Sequence, residues 1–304
     1  MTALVFGDAL IDLVPNQAGV VLPYPGGSPL NVAVGLGRLG RPVQLGAHIG
    51  QDANGELIKH HLAQSNASLL PGSDTAHHTS TAQAHLDSQG KASYEFDFAW
   101  QAPAIPGDLQ PLVIHTGSLA ATVEPGGSQM LDLFKVNRST ATLTSDPNAR
   151  PAAMGPANGV RPRIEAMMGL AHVVKASDED LAYLYPNQDP LDTAQRWANA
   201  GPALVVVTFG ANGAHGFTAA GLHIQQAGIE TQVADTVGAG DAFMAGLIDA
   251  LWQLDLLGAD KAAALYGIDQ NQLAKVLARA TQAASITVSR PGANPPWVQE
   301  LQPF

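Results

Sequence analysis

The residues best able to do chemistry form one short run, Asp235-Thr236-Val237-Gly238-Ala239-Gly240-Asp241, directly before the helix-forming stretch Ala242-Phe243-Met244-Ala245-Gly246-Leu247. Small residues at 238 to 240 let the backbone approach an anion closely, and the first amides of a helix have no partner within it. A developing phosphoryl charge would be favoured there. Asp241, at the same helix end, is placed to take a proton from an attacking hydroxyl. Phosphoryl transfer depends mainly on positioning and charge stabilisation, so a modest base suffices. Taken alone, the run has a plainer explanation: the glycines permit a tight strand-to-helix connection and Asp241 is a capping charge.

Such a run must be held by a scaffold, and the rest of the chain reads as one. Short apolar segments, Ala3 to Phe6, Val43 to Ile49, Leu112 to His115, Ala141 to Thr144, His172 to Val174 and Leu204 to Thr208, each end in polar or small residues and alternate with helical patterns. That alternation predicts βαβ units around a mainly parallel sheet, with ligands outside the carboxyl ends of the strands. Leu10 to Leu22 and Thr79 to Trp100 break it and look extended, the second turning at Asp87-Ser88-Gln89-Gly90. Tyr94, Phe96, Phe98 and Trp100 recur at every second position with Glu95 and Asp97 between them, so this strand has an apolar and a wet face. The apolar face packs on the main core, or it covers a site or a dimer contact. Gly240 to Leu254 and Gln272 to Ile286 are predicted helices, and Ser289 to Pro296 is a loop-forming tail.

Composition narrows the partners. The 304 residues suit one large α/β domain with a minor appendage. Zero cysteines exclude disulfides, thiolate metal sites and cysteine nucleophiles, so the chemistry falls to oxygen and nitrogen groups. A net charge of -11 with no Lys/Arg run argues against nucleic acid. No apolar stretch reaches membrane-spanning length and Met1 to Phe6 has no secretory pattern, so a cytoplasmic location is expected. The ten histidines, including the pairs His60-His61 and His77-His78, show no metal-ligand spacing.

The Asp-Thr-x-Gly-Ala-Gly-Asp run resembles the C-terminal signature of the PfkB/ribokinase carbohydrate kinases. The resemblance implies that Gly238, Ala239 and Gly240 contribute an amide anion hole and that Asp241 is the catalytic base. Gly26-Gly27-Ser28-Pro29-Leu30-Asn31-Val32-Ala33, followed by Gly40 and Gly50, resembles the N-terminal signature of the same family, which places Gly26, Gly27 and Asn31 in a sugar pocket. Phe6-Gly7-Asp8-Ala9-Leu10-Ile11-Asp12 is similar to the family's opening strand, with Asp12 as the sugar-binding carboxylate and Asp8 beside it. Gly35-Leu36-Gly37-Arg38-Leu39-Gly40 spells a GxGxxG, but it lies inside a helix rather than after a strand, and Gly40 reads as a helix C-cap.

Further elements follow from the same resemblance. Asn148 and Arg150 of Ser145-Asp146-Pro147-Asn148-Ala149-Arg150 would lie near substrate and phosphate, and Phe96 on the lid would join the substrate residues. Lys175, Thr208, Gly210, Gly213 and Thr281 would face ATP, with Thr281 standing where many relatives have Asn. Ser177 and Asp180 would organise Mg2+ through water, although a Ser cap with an acidic first turn explains them as well. Asp235, Val237, Thr287, Arg290 and Gly292 would surround a K+-like ion.

The implied fold is a single ribokinase-like domain over residues 1–304, a three-layer αβα sandwich with a mainly parallel central sheet. A small β-sheet lid from about residues 10–24 and 77–101 would close over the sugar. The implied activity is ATP-dependent phosphorylation of a primary hydroxyl of a small sugar. Fructose, giving fructose 6-phosphate, is the first choice because several elements look most like the fructokinase branch. Ketodeoxygluconate, ribose and nucleosides are the competing substrates. A non-catalytic sugar sensor and a dehydrogenase are the competing classes, and a homodimer through the lid is the expected assembly.

Overall fold

The structure, a computed structural model, describes residues 1–15, 20–86 and 92–304. The expected turn at Asp87-Ser88-Gln89-Gly90 and the side chain of Tyr94 lie outside the described residues.

Its main sheet has nine strands. Seven run parallel: β1 (Thr2–Phe6), β4 (Val43–Gly46), β5 (Ser68–Leu69), β8 (Pro111–Gly117), β9 (Thr142–Asp146), β10 (Val173–Ser177) and β11 (Leu204–Thr208). Two more, β12 (Ala214–Thr218) and β13 (His223–Gln226), add an antiparallel edge, giving the order β13-β12-β11-β10-β9-β8-β1-β4-β5. Each segment expected from an apolar run contributes a strand. The central parallel strands are covered on both faces, as β1 shows: Ala3 and Val5 enter one core, Leu4 and Phe6 the other. The first core holds the helices Ser28–Arg38, Ala239–Gln253 and Gln270–Val288, which carry the candidate chemistry. Among the described residues, no helix is long and apolar enough to cross a membrane.

The two extended regions form a separate four-stranded sheet, β3-β2-β6-β7, from β2 (Leu10–Pro15), β3 (Val21–Gly26), β6 (Thr81–Leu86) and β7 (Ala92–Asp97). Its first stretch is longer than expected, since β3 runs on to Gly26 and so joins the lid to the sugar signature. The aromatic stripe divides. Trp100 is buried in the main core and donates its indole N–H to the Ala120 carbonyl (3.1 Å), and Phe98 packs on the same core. Phe96 stays in the lid, in register with Ala82, which pairs with Asp12, so the three share one face.

Candidate active site

At the start of the Ala239–Gln253 helix, Gly238 is the N-cap with φ 76°. That left-handed conformation disfavours a side chain, and a Cβ there would stand 2.6 Å from the Ala293 Cβ. The amides of Gly238, Gly240 and Asp241 meet no acceptor among the described residues, while that of Ala239 makes a long turn bond to the Thr236 carbonyl (3.3 Å). The donor set open to an anion therefore differs from the expected 238 to 240 trio in one member, Asp241 standing in place of Ala239.

Asp241 is buried but is not lost to the core. Its Oδ1 accepts from Ser28 Oγ (2.6 Å), its Oδ2 from Asn31 Nδ2 (2.7 Å), and Asn148 Nδ2 lies at the 3.5 Å limit from Oδ1. The two signatures, more than 200 positions apart, thus meet on one carboxylate. Asp8 joins from the end of β1, its Oδ2 accepting from the Ser28 amide (3.3 Å). Three acceptor oxygens in this cluster are buried without a partner among the described residues: Asp8 Oδ1, Asn31 Oδ1 and Asn148 Oδ1. Buried acceptors are normally satisfied, so an array of them calls for a ligand rich in hydroxyl donors. Burial pushes the Asp8 carboxyl up to about 6, against the pull of its backbone hydrogen bonds and Arg150.

Asp12 reaches this pocket from the lid. It lies across from Tyr24, and its side chain fills the space above Gly26, where an added Cβ would meet Asp12 Oδ2 at 2.0 Å. Gly26 and Gly27 are accordingly the close-approach positions expected of the signature. Burial raises the Asp12 carboxyl to about 6, partly countered by Arg150. Arg150 itself is exposed at the rim and donates to the Ala149 carbonyl (3.1 Å), with no carboxylate in ion-pair contact among the described residues.

On the other side of Asp241, Lys175 in β10 is buried and pairs with Asp146 of β9 (2.9 Å). Burial alone would favour the neutral amine, but Asp146, Asp180 and Asp241 together hold the ammonium above its ordinary value. Ser177 and Asp180 form a capping box: Ser177 Oγ accepts from the Asp180 amide (3.0 Å) and Asp180 Oδ2 from the Ser177 amide (2.8 Å), while Oδ1 takes the Ala149 amide (2.6 Å). Each carboxylate oxygen accepts a backbone amide, so in this structure the pair acts as a helix cap. Among the described residues no group of three or more acidic or histidine side chains could hold a metal ion.

The expected cation-loop residues do come together. Asp235 Oδ2 accepts from the Gly292 amide (2.9 Å) and Oδ1 from the Val237 amide (3.0 Å), and the Arg290 amide donates to the Thr287 carbonyl (3.1 Å). The Arg290 side chain turns away to Glu300. Thr208 ends β11, and Gly210 and Gly213 shape the turn after it. Thr281 Oγ1, in the last long helix, is buried without a partner among the described residues.

Sequence reasoning gave no role to Ser28 or Asp146, although both stand inside quoted motifs. Their partners lie 213 and 29 positions away, pairings that the packing of two helices and the order of two strands create.

A ribokinase-type sandwich, an amide-lined helix start and a hydroxyl-seeking pocket around one carboxylate define a phosphotransferase acting on small polyhydroxy molecules. The chain belongs to the pfkB family of carbohydrate kinases, whose family model matches residues 2–300. It is a sugar kinase. It is 32% identical over 321 residues to a fructokinase from Klebsiella pneumoniae, covering 98% of this chain and 97% of the relative. Among solved structures, a fructokinase from Xylella fastidiosa with bound ATP superposes with a TM-score of 0.81 at 27% identity, over 96% of this chain and 93% of that one. A doubly substituted Vibrio cholerae fructokinase bound to fructose, ADP and a potassium ion gives 0.76 at 26% identity, over the same 96% and 93%.

Proposed function

We propose that this sugar kinase transfers the γ-phosphoryl group of ATP to the primary hydroxyl of fructose, giving fructose 6-phosphate in the cytoplasm. The observation that carries the reading is the set of unpartnered acceptors, Asp8 Oδ1, Asn31 Oδ1 and Asn148 Oδ1, gathered around Asp241 beside open helix amides. A neutral polyol supplies the donors that these oxygens lack. The fructokinase relatives support the choice, and the Vibrio cholerae structure holds both fructose and ADP. A carboxylate-bearing sugar such as ketodeoxygluconate would meet Asp8, Asp12 and Asp241, with Arg150 and the Asp146-paired Lys175 to offset them, which favours fructose.

In this reading the acceptor hydroxyl replaces Ser28 or Asn31 at one Asp241 oxygen and gives up its proton there as its oxygen attacks the γ-phosphorus. The amides of Gly238, Gly240 and Asp241 receive the developing charge. Asp12 and the lid hold the sugar and exclude water, which would otherwise compete as acceptor. Thr208, Gly210, Gly213 and Thr281 line the nucleotide side. Mg2+ would neutralise phosphate charge, and since Asp180 is committed to amides it fits best as an ion carried by the triphosphate. The Asp235, Val237, Thr287 and Gly292 loops are the proposed place for a monovalent cation.

A coupled ADP-release assay across fructose, ketodeoxygluconate, ribose and adenosine tests the substrate. Fructose is expected to give the highest kcat/KM; a preference for ketodeoxygluconate would replace it, and turnover with adenosine alone would remove the sugar assignment. The exposed lid residues Val14, Val21, Leu22 and Tyr24 are the proposed dimer contact, and sedimentation of a monomer at all concentrations would exclude it.

A further inference from the structure

A serine at the start of a helix usually caps it, and Ser28 is turned to another use. Gly27 takes the N-cap of the Ser28–Arg38 helix, while the Ser28 hydroxyl donates across 213 positions to Asp241 Oδ1. At 2.6 Å this is the short contact of a hydroxyl on a carboxylate. Ser28 is buried, its amide donates to Asp8 Oδ2 (3.3 Å), and a Cβ on the preceding Gly27 would stand 2.3 Å from the Asp8 carbonyl oxygen. The hydroxyl is therefore held against Asp241 by the backbone as well. Asn31 and Asn148, the other side chains donating to Asp241, are amides whose nitrogens are poor nucleophiles. Among the described residues, Ser28 alone brings to this carboxylate an oxygen that can attack once its proton leaves. The open amide of Asp241 belongs to the same residue as the carboxylate, so a phosphoryl group held there would stand about a residue's breadth from the serine oxygen.

We propose that, in the absence of sugar, the protein phosphorylates its own Ser28, whose hydroxyl takes the γ-phosphoryl group of ATP in place of the sugar's. The proposal rests on the reading of ATP as donor and Asp241 as base. In the step, Ser28 Oγ forms a bond to the γ-phosphorus, and the bond from that phosphorus to the β–γ bridging oxygen breaks. The hydroxyl proton passes to Asp241, and ADP leaves with the electron pair of the broken bond. The product is a phosphoserine beside the helix start, where its charge is favoured by the open amides. Its bulk and charge crowd Asp241, Asn31 and Asn148, so a phosphorylated chain has no place at its base for a sugar hydroxyl. Sugar and Ser28 thus compete for one carboxylate, and bound sugar protects the protein from its own donor.

The test uses the unsubstituted protein, incubated with MgATP and no sugar and then followed by intact-mass and peptide mass spectrometry. One phosphoryl group per chain is expected, located on Ser28, with sugar-kinase activity lost in step with the labelled fraction. Saturating amounts of the sugar that best supports ADP release should prevent the labelling. Asp241→Asn should slow it roughly 10²-fold or more, the loss expected of a general base. Ser28→Ala should abolish it, and Ser28→Thr, which restores a hydroxyl, should regain part of it. A label on another residue, or labelling at full rate in D241N or under saturating sugar, would overturn the proposal. A chain that stays unlabelled while it releases ADP with sugar would overturn it too, and would leave the reading of ATP as donor intact. Failure of that reading would show separately, as absence of sugar-dependent ADP release by the unsubstituted protein.

Discussion

The two ends of the site are built on opposite physical plans. At the proposed phosphoryl end stand main-chain amides and a short carboxylate fixed by a helix start, between strands buried on both faces. At the proposed sugar end, Asp12 is carried on a thin second sheet whose β3 strand is an exposed edge. A transition-state charge is best met by donors that need not move, whereas a substrate that must enter and leave needs a wall that can. Substitutions at the first end should therefore act on kcat, and those at the second on KM.

The largest effect is expected from Asp241→Asn. The amide still fits between Ser28 and Asn31 but cannot take the hydroxyl proton, so kcat should fall roughly 10³-fold while fructose binding by calorimetry changes only a few-fold. Equal losses in kcat and sugar affinity would erase the contrast between the two ends. Gly238→Ala comes next. The added methyl carries both the strain of φ 76° and the 2.6 Å approach to Ala293, so the helix start must shift. We expect kcat lowered roughly 10- to 100-fold by misplaced amides and a melting point lowered in line with a cost of about 1–3 kcal/mol.

This asymmetry also explains what could be read from the chain beforehand. The helix start at Gly238, Gly240 and Asp241 was legible from residue type and neighbours, whereas the chemistry expected of it came from the resemblance to a family signature. The parallel strands were legible because burial on two faces leaves unbroken apolar runs. β12 and β13 were not: His223–Gln226 alternates exposed and half-covered residues with no apolar signal, and the edge forms only because β11 offers it a partner. Ser177-x-x-Asp180 could be read in two ways, and the geometry uses it as a cap. The Ser28 and Asn31 contacts to Asp241 depend on the Ser28–Arg38 and Ala239–Gln253 helices lying side by side, which no local pattern states.

At the sugar end, Gly26→Ala should act on binding. The new Cβ would collide with Asp12 Oδ2 at 2.0 Å and turn the carboxylate out of the pocket without touching Asp241. Losing a charge-assisted acceptor of this kind costs roughly 1.5–3 kcal/mol, which corresponds to about a 10- to 100-fold rise in KM for fructose. Steady-state kinetics should find kcat within about threefold of the parent. A fall in kcat with KM unchanged would mean that the lid carboxylate serves the chemistry rather than the sugar.

The mildest perturbation is pH, and here activity and stability should move in opposite directions. The Asp12 carboxyl rises from 3.8 to about 6 on burial. Below about 6 it is protonated in the free protein and offers one donor where fructose needs acceptors, so kcat/KM for fructose should fall about twofold at pH 6 and roughly tenfold at pH 5 relative to neutral pH. For folding the sign reverses. Between 3.8 and about 6 the native state holds a proton that the unfolded chain has released, so stability is greatest below this window, declines as pH rises through it and levels off above it. Asp8, also raised to about 6, adds to both trends. Asp12→Asn should therefore flatten the rise of kcat/KM from pH 5 to pH 7 and lessen the loss of thermal stability over the same range. If the variant altered only one of these profiles, the carboxylate that binds sugar and the one destabilised by burial would have to be different groups.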